Sequence, residues 1–269
     1  MMNYAQHLTD LIEDLKVDFA IEKSFKISQH RINGDRFVIG IEKKSVTDAQ
    51  ISSIVDRLNM PEQHRAHFFH HAPDCNVMLF GYEKNENAPI FKAYLEFWDR
   101  VKLHVRRSPN KKEPQLMHLG YKWNYENNSQ AAITRYTCHP LITTSEILDK
   151  MKQSYFYGDN ARPLESIIEI VRFASTRIFS RYPFVFLDVE EENNPRRSFD
   201  VNLYKAHLPL EAVSANLHKI TQSYFISDSQ FHQVYDPIRP HLLGHIAGGV
   251  DREGREYASF YYETKHWLF

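Results

Sequence analysis

The chain has 269 residues, of which 42% are hydrophobic and 25% are charged, so it contains enough apolar material for one large domain or two small ones. Its 33 lysines and arginines are balanced by 34 aspartates and glutamates, which excludes the positive field that drives non-specific nucleic-acid binding. The two cysteines exclude a disulfide framework and fit a reducing compartment, so we expect a cytoplasmic protein. No apolar segment reaches the length of about 18 residues that a membrane span needs.

The first predicted elements are a helix and a hairpin. Residues 4–16 carry leucines at helical spacing, which predicts an amphipathic helix. Two alternating segments follow on either side of Asn33-Gly34, and Asn-Gly in this position is a strong hairpin signal. We therefore predict the first hairpin turn at these two residues. Two helices should then extend to His71, the first of them capped by Ser45 or Thr47.

The rest of the sequence repeats these units. Alternating segments separated by polar turns predict four more hairpins, at residues 76–98, 116–140, 184–207 and 242–263. Helices are predicted over residues 143–156, 163–179, 210–223 and 227–236, and none is predicted between the second and third hairpins. Because no linker interrupts the repeats, we expect a single domain over residues 1–269. The expected fold is of the α+β class, a closed ten-stranded antiparallel barrel of repeated α-β-β units with helices outside.

One predicted strand shows how such a barrel would be built. Residues 89–98 alternate between two faces. The apolar face carries Phe91, Ala93, Leu95 and Phe97, and the polar face carries Lys92, Tyr94, Glu96 and Trp98. If helices cover the apolar face, the polar face lines the interior, and ten strands leave space there for a solvent-filled chamber. The alternative is an ordinary polar sheet whose charged groups pair locally.

The same alternation identifies further side chains that should face the chamber. They are Arg36, Glu42, Asp200, Asn202, Tyr204, Tyr257, Ser259 and Tyr261. Neither face of the third hairpin is clearly apolar, and we predict that Arg135 points inward together with His118 and Lys122. Buried lysines and arginines need an anion, which a diphosphate supplies in a suitable geometry. Tyrosine rings can stabilise a carbocation and exclude water.

Two short segments and the repeated units resemble the ABBA-type aromatic prenyltransferases, or PT barrels. The segments are Lys92-Ala93-Tyr94 and Asn202-Leu203-Tyr204. The resemblance implies transfer of a prenyl group from an allylic diphosphate to an aromatic acceptor, either a small molecule or an aromatic side chain of a peptide. It further implies that the last hairpin supplies another tyrosine, Tyr257 or Tyr261, near the reacting atoms.

The pattern and the resemblance together predict three groups of site residues. The diphosphate would be bound by Arg36, Lys92, Lys122, Arg135 and Asn202. The aromatic shield would consist of Tyr94, Tyr204, Tyr257 and Tyr261. A carboxylate, Glu96 or Glu42, would orient the acceptor or take its proton, and no spacing distinguishes between the two.

Cofactors and partners follow from the same reasoning. The sequence has no D-D-x-x-D metal motif, so diphosphate activation should depend on Lys and Arg, with no required cofactor and magnesium optional. His64, His67 and His71 share a helical face that zinc could use, but such clusters are more often solvated, and no metal site is predicted. We expect a monomer that binds no nucleic acid. The rival function is a non-catalytic barrel for a hydrophobic or anionic small molecule, or a pseudo-enzyme that has kept the barrel for a protein contact.

Overall fold

The protein is a closed antiparallel β-barrel surrounded by α-helices. The structure, a computed structural model, describes residues 3–85, 88–127, 131–155 and 162–265. In these ranges the strands are β1 Phe19–Ser28, β2 Arg31–Glu42, β3 Val77–Glu83, β4 Ile90–Glu96, β5 Gln115–Asn124, β6 Ala132–Cys138, β7 Val185–Glu191, β8 Asn194–Asn202, β9 Leu243–Val250 and β10 Glu256–Lys265. The helices are α1 Tyr4–Glu13, α2 Asp48–Arg57, α3 Glu62–His71, α4 Trp98–Arg107, α5 Thr144–Ser154, α6 Arg162–Thr176, α7 Ser214–Ser223 and α8 Asp228–Tyr235. Each strand pairs with its sequence neighbours, and β1 pairs with β10 to close the barrel, so the predicted fold class is confirmed.

The outward faces of the strands form the hydrophobic core together with the helices. On β4, Phe91, Ala93 and Leu95 are completely buried, in one cluster with apolar residues of α1, α2 and α3. A second cluster joins Phe199 of β8 and Phe260 of β10 to α5, α6, α7 and α8. The predicted orientation of the apolar faces is therefore confirmed. Helix burial, which stabilises roughly in proportion to the apolar area removed from water, decides which strand face points outward.

Local sequence signals fix where several helices begin. Of the two caps that the sequence offers for α2, Thr47 is the one used, and Thr143 caps α5 in a capping box with Glu146. The predicted turns of the second and third hairpins include Glu86, Asn87 and residues 128–130, which lie outside the described residues. No helix in the described ranges is long and apolar enough to cross a membrane.

The turn predicted at Asn33-Gly34 is wrong. The chain reverses before β2, at a turn that includes His30, which adopts a left-handed φ of 59°. Asn33 and Gly34 lie within β2, next to an irregularity in its pairing with β1. A Cβ atom on Gly34 would lie 3.2 Å from Val234 of α8. The glycine therefore lets a helix approach the strand closely, a tertiary requirement that resembles a turn signal in the sequence.

The absence of a helix between the second and third hairpins is also a wrong prediction. β4 ends at Glu96, and Trp98 begins α4 instead of facing the barrel interior. Val101 is the residue of α4 that is buried, and it packs with Met117 and Leu187 at the end of the barrel near Glu96. Trp98 packs partly buried against the same cluster, so α4 is amphipathic, and the helical spacing of Trp98 and Val101 is the signal that could have predicted it.

Candidate active site

The inward faces of the strands line a polar lumen, and several of their side chains remain partly accessible to solvent. The outward side chains of Phe91 and Leu95 are completely buried. By contrast, the inward side chains of Lys92 and Glu96 keep 12% and 14% of their surface accessible, and His245 keeps 25%. Because these three side chains point into the barrel, their accessible surface shows that water reaches the lumen.

One end of the lumen, which we name the cationic end, collects positive side chains from five strands. They are Lys26 of β1, Arg36 of β2, Lys92 of β4, Lys122 of β5 and Arg196 of β8. Among the described residues, two luminal carboxylates pair with this group. Glu83 pairs with Arg36 and Lys92, and Glu191 pairs with Arg196 at 2.8 Å and with Arg252 in the turn after β9. Positive charge is therefore in excess.

Two lysines of the cationic end face each other across neighbouring strands. Lys92 of β4 and Lys122 of β5 are directly opposite in the register, and like charges in this position destabilise a sheet. Lys92 Nζ lies 2.5 Å from Glu83, whereas no ion pair to Lys122 is formed within the described residues. Burial lowers the pKa of Lys92 to about 7, against the effect of Glu83, and Arg36 and Lys122 lower it further. An additional anion would relieve this repulsion.

Arg36 is the most enclosed cation of this end. Its side chain is 6% exposed, and its Nη1 donates a hydrogen bond of 3.1 Å to Ser259 Oγ. Its Nε lies 3.4 Å from Glu83 Oε2 and has no hydrogen-bond partner although it is buried. A buried donor without a partner is costly in a folded protein. The guanidinium is therefore positioned to donate to a further acceptor inside the barrel.

Tyrosines occupy the middle of the lumen. Tyr94 and Tyr136 meet edge to face with their ring centroids 5.9 Å apart. Gly120 lies opposite Tyr94, and a Cβ atom there would come within 2.9 Å of the Tyr94 ring, so the glycine makes room for both rings. Tyr261 of β10 is also inward, opposite Ser24. Burial raises the pKa of Tyr94, Tyr136 and Tyr261, which keeps the phenols neutral.

The opposite end of the lumen, which we name the acidic end, carries carboxylates and imidazoles. His245 Nδ1 lies 2.8 Å from Asp200 Oδ1, and His245 Nε2 lies 3.9 Å from Glu22 Oε1. Tyr204 donates a hydrogen bond of 2.5 Å to Glu22. Burial opposes the charged form of His245, but Asp200 and Glu22 outweigh it and raise the pKa of His245 to about 9. His245 thus lies between two carboxylates that favour its charged form.

Glu96 is the third carboxylate of the acidic end. Burial raises the pKa of Glu96 to about 7, and burial lowers the pKa of the neighbouring His118 to about 4. The two side chains are 3.8 Å apart. Glu96 shares the inward face of β4 with Lys92 and Tyr94, and four residues of strand separate Glu96 from Lys92 by about 13 Å. A cation, a phenol and a carboxylate therefore follow one another along a single strand.

Two predicted site residues, Arg135 and Glu42, lie outside the enclosed lumen. The prediction that Arg135 faces inward is wrong, because Arg135 is exposed and pairs with Leu119 and Glu190 on the outward faces of the adjacent strands. The outer face of β6 is open to solvent there, so it tolerates a charge, and the next residue, Tyr136, takes the inward position. Glu42 lies at the end of β2, is 56% exposed and pairs with Lys44 at 2.8 Å.

Asn202 and Tyr204 are at the acidic end and not beside the predicted diphosphate-binding residues. Asn202 Nδ2 lies 3.1 Å from His245 Nε2. Six residues of β8 separate Asn202 from Arg196, a distance of about 20 Å along the strand. Tyr204 follows the strand and stands edge to face with His245 at 5.4 Å. The remaining predicted tyrosine, Tyr257, is at the cationic end, where Lys26 Nζ lies 4.5 Å from the centre of its ring.

Seven inward residues of the site were not predicted from the sequence. They are Glu22, Lys26, Glu83, Tyr136, Glu191, Arg196 and His245. Glu22 and Lys26 lie on β1 and His245 lies on β9, the first strands of their hairpins. These strands alternate as their partners do, so extending the alternation to both strands would have found them. Tyr136 was missed because the facing of the third hairpin was reversed.

No metal site is evident in the part of the chain that the structure describes. No group of three or more His, Cys, Asp or Glu side chains in these ranges could hold a metal ion. In the histidine cluster of α3, His64 is buried, and His67 Nδ1 lies 2.9 Å from the hydroxyl of Tyr121. These histidines pack against the barrel instead of forming a solvated face.

The closed barrel with its helical surround has the architecture of the ABBA-type PT barrels, as the sequence predicts. 5-Dimethylallyltryptophan synthase from Streptomyces coelicolor superposes with a TM-score of 0.60 over 90% of this chain and 80% of its own, at 13% identity. Prenyltransferase PriB, in a ternary complex with L-tryptophan and dimethylallyl thiolodiphosphate, gives a TM-score of 0.58 over 90% of this chain and 79% of its own, at 12% identity. NotF, in complex with brevianamide F and the same donor analogue, gives a TM-score of 0.53 over 92% of this chain and 81% of its own, at 13% identity.

At these identities the likeness establishes the fold. No protein-family model and no curated protein sequence matches the chain.

Proposed function

We propose that the protein transfers a prenyl group from an allylic diphosphate to an aromatic acceptor inside the barrel. The observation that carries this proposal is the excess of buried positive charge at the cationic end. Lys92 and Lys122 lie directly opposite each other, the carboxylate of Glu83 contacts Lys92, and the buried Nε of Arg36 has no hydrogen-bond partner. Holding such groups out of water is costly unless an anion compensates. A barrel that carries a hydrophobic ligand does not need these charged groups. A diphosphate, by contrast, accepts charge-assisted hydrogen bonds from Lys92, Lys122 and Arg36.

The proposed reaction begins when the C–O bond of the allylic diphosphate breaks. The electron pair leaves with the diphosphate, whose growing charge Arg36, Lys92 and Lys122 stabilise. The allyl cation then lies among the tyrosines in the middle of the lumen, where Tyr94 and Tyr261 offer their ring faces and exclude water. An electron-rich atom of the acceptor forms the new bond to the allyl carbon.

The acceptor must then lose a proton, and we assign its uptake to Glu96. Glu96 is inward, follows Tyr94 on the same face of β4 and has a pKa of about 7, which suits a general base near neutral pH. Tyr204 lies at the acidic end with its hydroxyl bound to Glu22, so we assign it to the acceptor pocket. Tyr257 stacks on Lys26 and positions that cation.

The structural neighbours suggest which substrates to test first. PriB was crystallised with L-tryptophan and dimethylallyl thiolodiphosphate, and NotF with brevianamide F. We therefore propose dimethylallyl diphosphate as the first donor and indoles as the first acceptors.

The first test is whether the wild-type protein consumes the donor. We expect pyrophosphate release from dimethylallyl or geranyl diphosphate to depend on an acceptor drawn from a panel of indoles, phenols and aromatic peptides. Parallel reactions with magnesium and with EDTA measure whether magnesium is optional. Release that never depends on any acceptor, together with tight binding of the donor, would favour the non-catalytic barrel.

The second test concerns Lys92. We expect Lys92→Ala to bind dimethylallyl thiolodiphosphate about ten- to a hundredfold more weakly than the wild type in calorimetry, because a charge-assisted contact is lost from a desolvated site. Lys84→Ala is the matched control, since Lys84 is 66% exposed and pairs with Asp35 outside the lumen. Equal affinity in Lys92→Ala and the wild type would remove Lys92 from the site.

A further inference from the structure

Glu83 holds an unusual position within the cationic end. It is the last residue of β3, lies opposite Arg36 in the register, and its side chain is only 11% exposed. One of its oxygens, Oε2, lies 2.5 Å from Lys92 Nζ and 3.4 Å from Arg36 Nε. Burial favours the neutral acid, but Lys92, Arg36, Lys122 and Lys26 outweigh it and hold the pKa of Glu83 well below its usual range.

A carboxylate in this position competes with any anion that enters the lumen. The donors that a diphosphate needs, Lys92 Nζ and Arg36 Nε, are those nearest to Glu83. Arg36 Nε lies within ion-pair distance of Glu83 but has no hydrogen-bond partner, so the carboxylate satisfies the guanidinium incompletely. A diphosphate presents more acceptor oxygens and more charge than one carboxylate, so it can take over these contacts.

We propose that Glu83 is an internal counter-anion, which offsets part of the positive charge of the cationic end while the barrel is empty and loses its contact with Lys92 when a diphosphate binds. This inference rests on the proposed function, because it assumes that the cationic end is the diphosphate site. It makes Glu83 a specificity-determining residue. A weakly charged anion cannot displace the carboxylate, whereas a multiply charged diphosphate can.

The inference predicts opposite changes in stability and affinity when the charge of Glu83 is removed. We expect Glu83→Gln to bind inorganic pyrophosphate at least about tenfold more tightly than the wild type, because the competing anion is gone. The factor by which Glu83→Gln increases the affinity for inorganic phosphate should be larger than the factor for pyrophosphate. The empty variant should melt at a lower temperature than the wild type, and pyrophosphate should restore the loss by binding the folded state. Asp35→Asn, which removes a carboxylate from the exposed pair with Lys84, should change none of these values.

A second variant keeps the test decisive if Glu83→Gln does not fold. Glu83→Asp retains the charge but withdraws it from Lys92 by one methylene group, and it should bind pyrophosphate more tightly than the wild type by a smaller factor. Unchanged or weaker pyrophosphate binding in the folded variants would overturn the inference, as would a crystal structure with pyrophosphate in which Lys92 still contacts Glu83. These measurements need no prenyl transfer. A tighter Glu83→Gln variant of a protein that never transfers a prenyl group would overturn only the proposed function.

Discussion

The Glu96→Gln variant should transfer prenyl groups about 10²- to 10⁴-fold more slowly than the wild type, the range typical of losing a general base. Glutamine keeps the shape of the side chain and its contacts near His118 but cannot accept a proton. Binding of dimethylallyl thiolodiphosphate should change little, since Glu96 is about 13 Å from Lys92 along the strand. The measurement is kcat with saturating donor and acceptor, beside calorimetry of the donor analogue.

Glu42→Gln is the matched control, because Glu42 is the other carboxylate that the sequence offers for this role. Glu42 is 56% exposed at the rim, so its replacement should leave kcat unchanged. A rate loss in Glu42→Gln that equals the loss in Glu96→Gln would contradict the assignment.

The pH profile gives an independent measure of the same group. Burial raises the pKa of Glu96 to about 7, and the base must be ionised, so kcat should increase as the pH rises through about 7 and then level off. The pKa of Lys92 is also about 7 in the empty barrel. Lys92 would therefore lose its charge over the same pH range, and this loss would weaken binding of the donor. Saturating diphosphate holds Lys92 protonated, so kcat under this condition reports Glu96.

Asp200→Asn should destabilise the folded protein by up to about 3 kcal/mol below neutral pH. The pKa of His245 rises from 6.5 to about 9 in the folded protein, and a difference of this size corresponds to about 3 kcal/mol. Because the folded state keeps the proton that the unfolded chain releases, this contribution is fully present below about pH 6.5 and is lost as the pH rises to about 9. Urea unfolding of both proteins at several pH values measures the difference in unfolding free energy.

Other groups also make the unfolding free energy depend on pH, and the contribution of Lys92 has the opposite sign over part of the range from pH 6.5 to about 9. The comparison between variant and wild type cancels these contributions. Titration of the His245 ring by NMR should show its pKa falling in Asp200→Asn.

The surface pair His218 and Asp228, 2.8 Å apart with side chains 37% and 70% exposed, supplies the control. Asp228→Asn should cost less than about 1 kcal/mol, as exposed ion pairs do. A pH-independent difference between Asp200→Asn and the wild type would show that His245 is not held as the imidazolium.

Most of the fold could be predicted from local sequence patterns. The alternation of Phe91, Ala93 and Leu95 with Lys92, Tyr94 and Glu96 identifies an inward polar face, because strand periodicity is local and helix burial selects the apolar side. Capping residues such as Thr47 and Thr143 mark helix starts for the same reason, since their hydrogen bonds reach only three residues along the chain. Repetition of these units is enough to predict ten strands and closure.

The positions of several site residues could not be predicted from local sequence, because they depend on residues far away along the chain. The facing of Arg135 depends on whether a helix covers the outer surface of β6, and the role of Gly34 depends on Val234, which is 200 residues away in the sequence. Glu42 obeys the inward alternation but lies at the rim, because strand length and stagger decide which inward positions are enclosed.

The repeated hairpin units predict the barrel, and the period of one strand predicts the face that carries Lys92, Tyr94 and Glu96. Lys26 and Arg196 meet at one end, and His245 meets Asp200 and Glu22 at the other, through the pairing of different strands. β8 and β9 pair as consecutive strands, whereas β1 reaches this side of the barrel only when it pairs with β10, which lies between β1 and β9. The separation of positive and negative charge along the lumen is therefore a property of closure and register, which single strands do not encode.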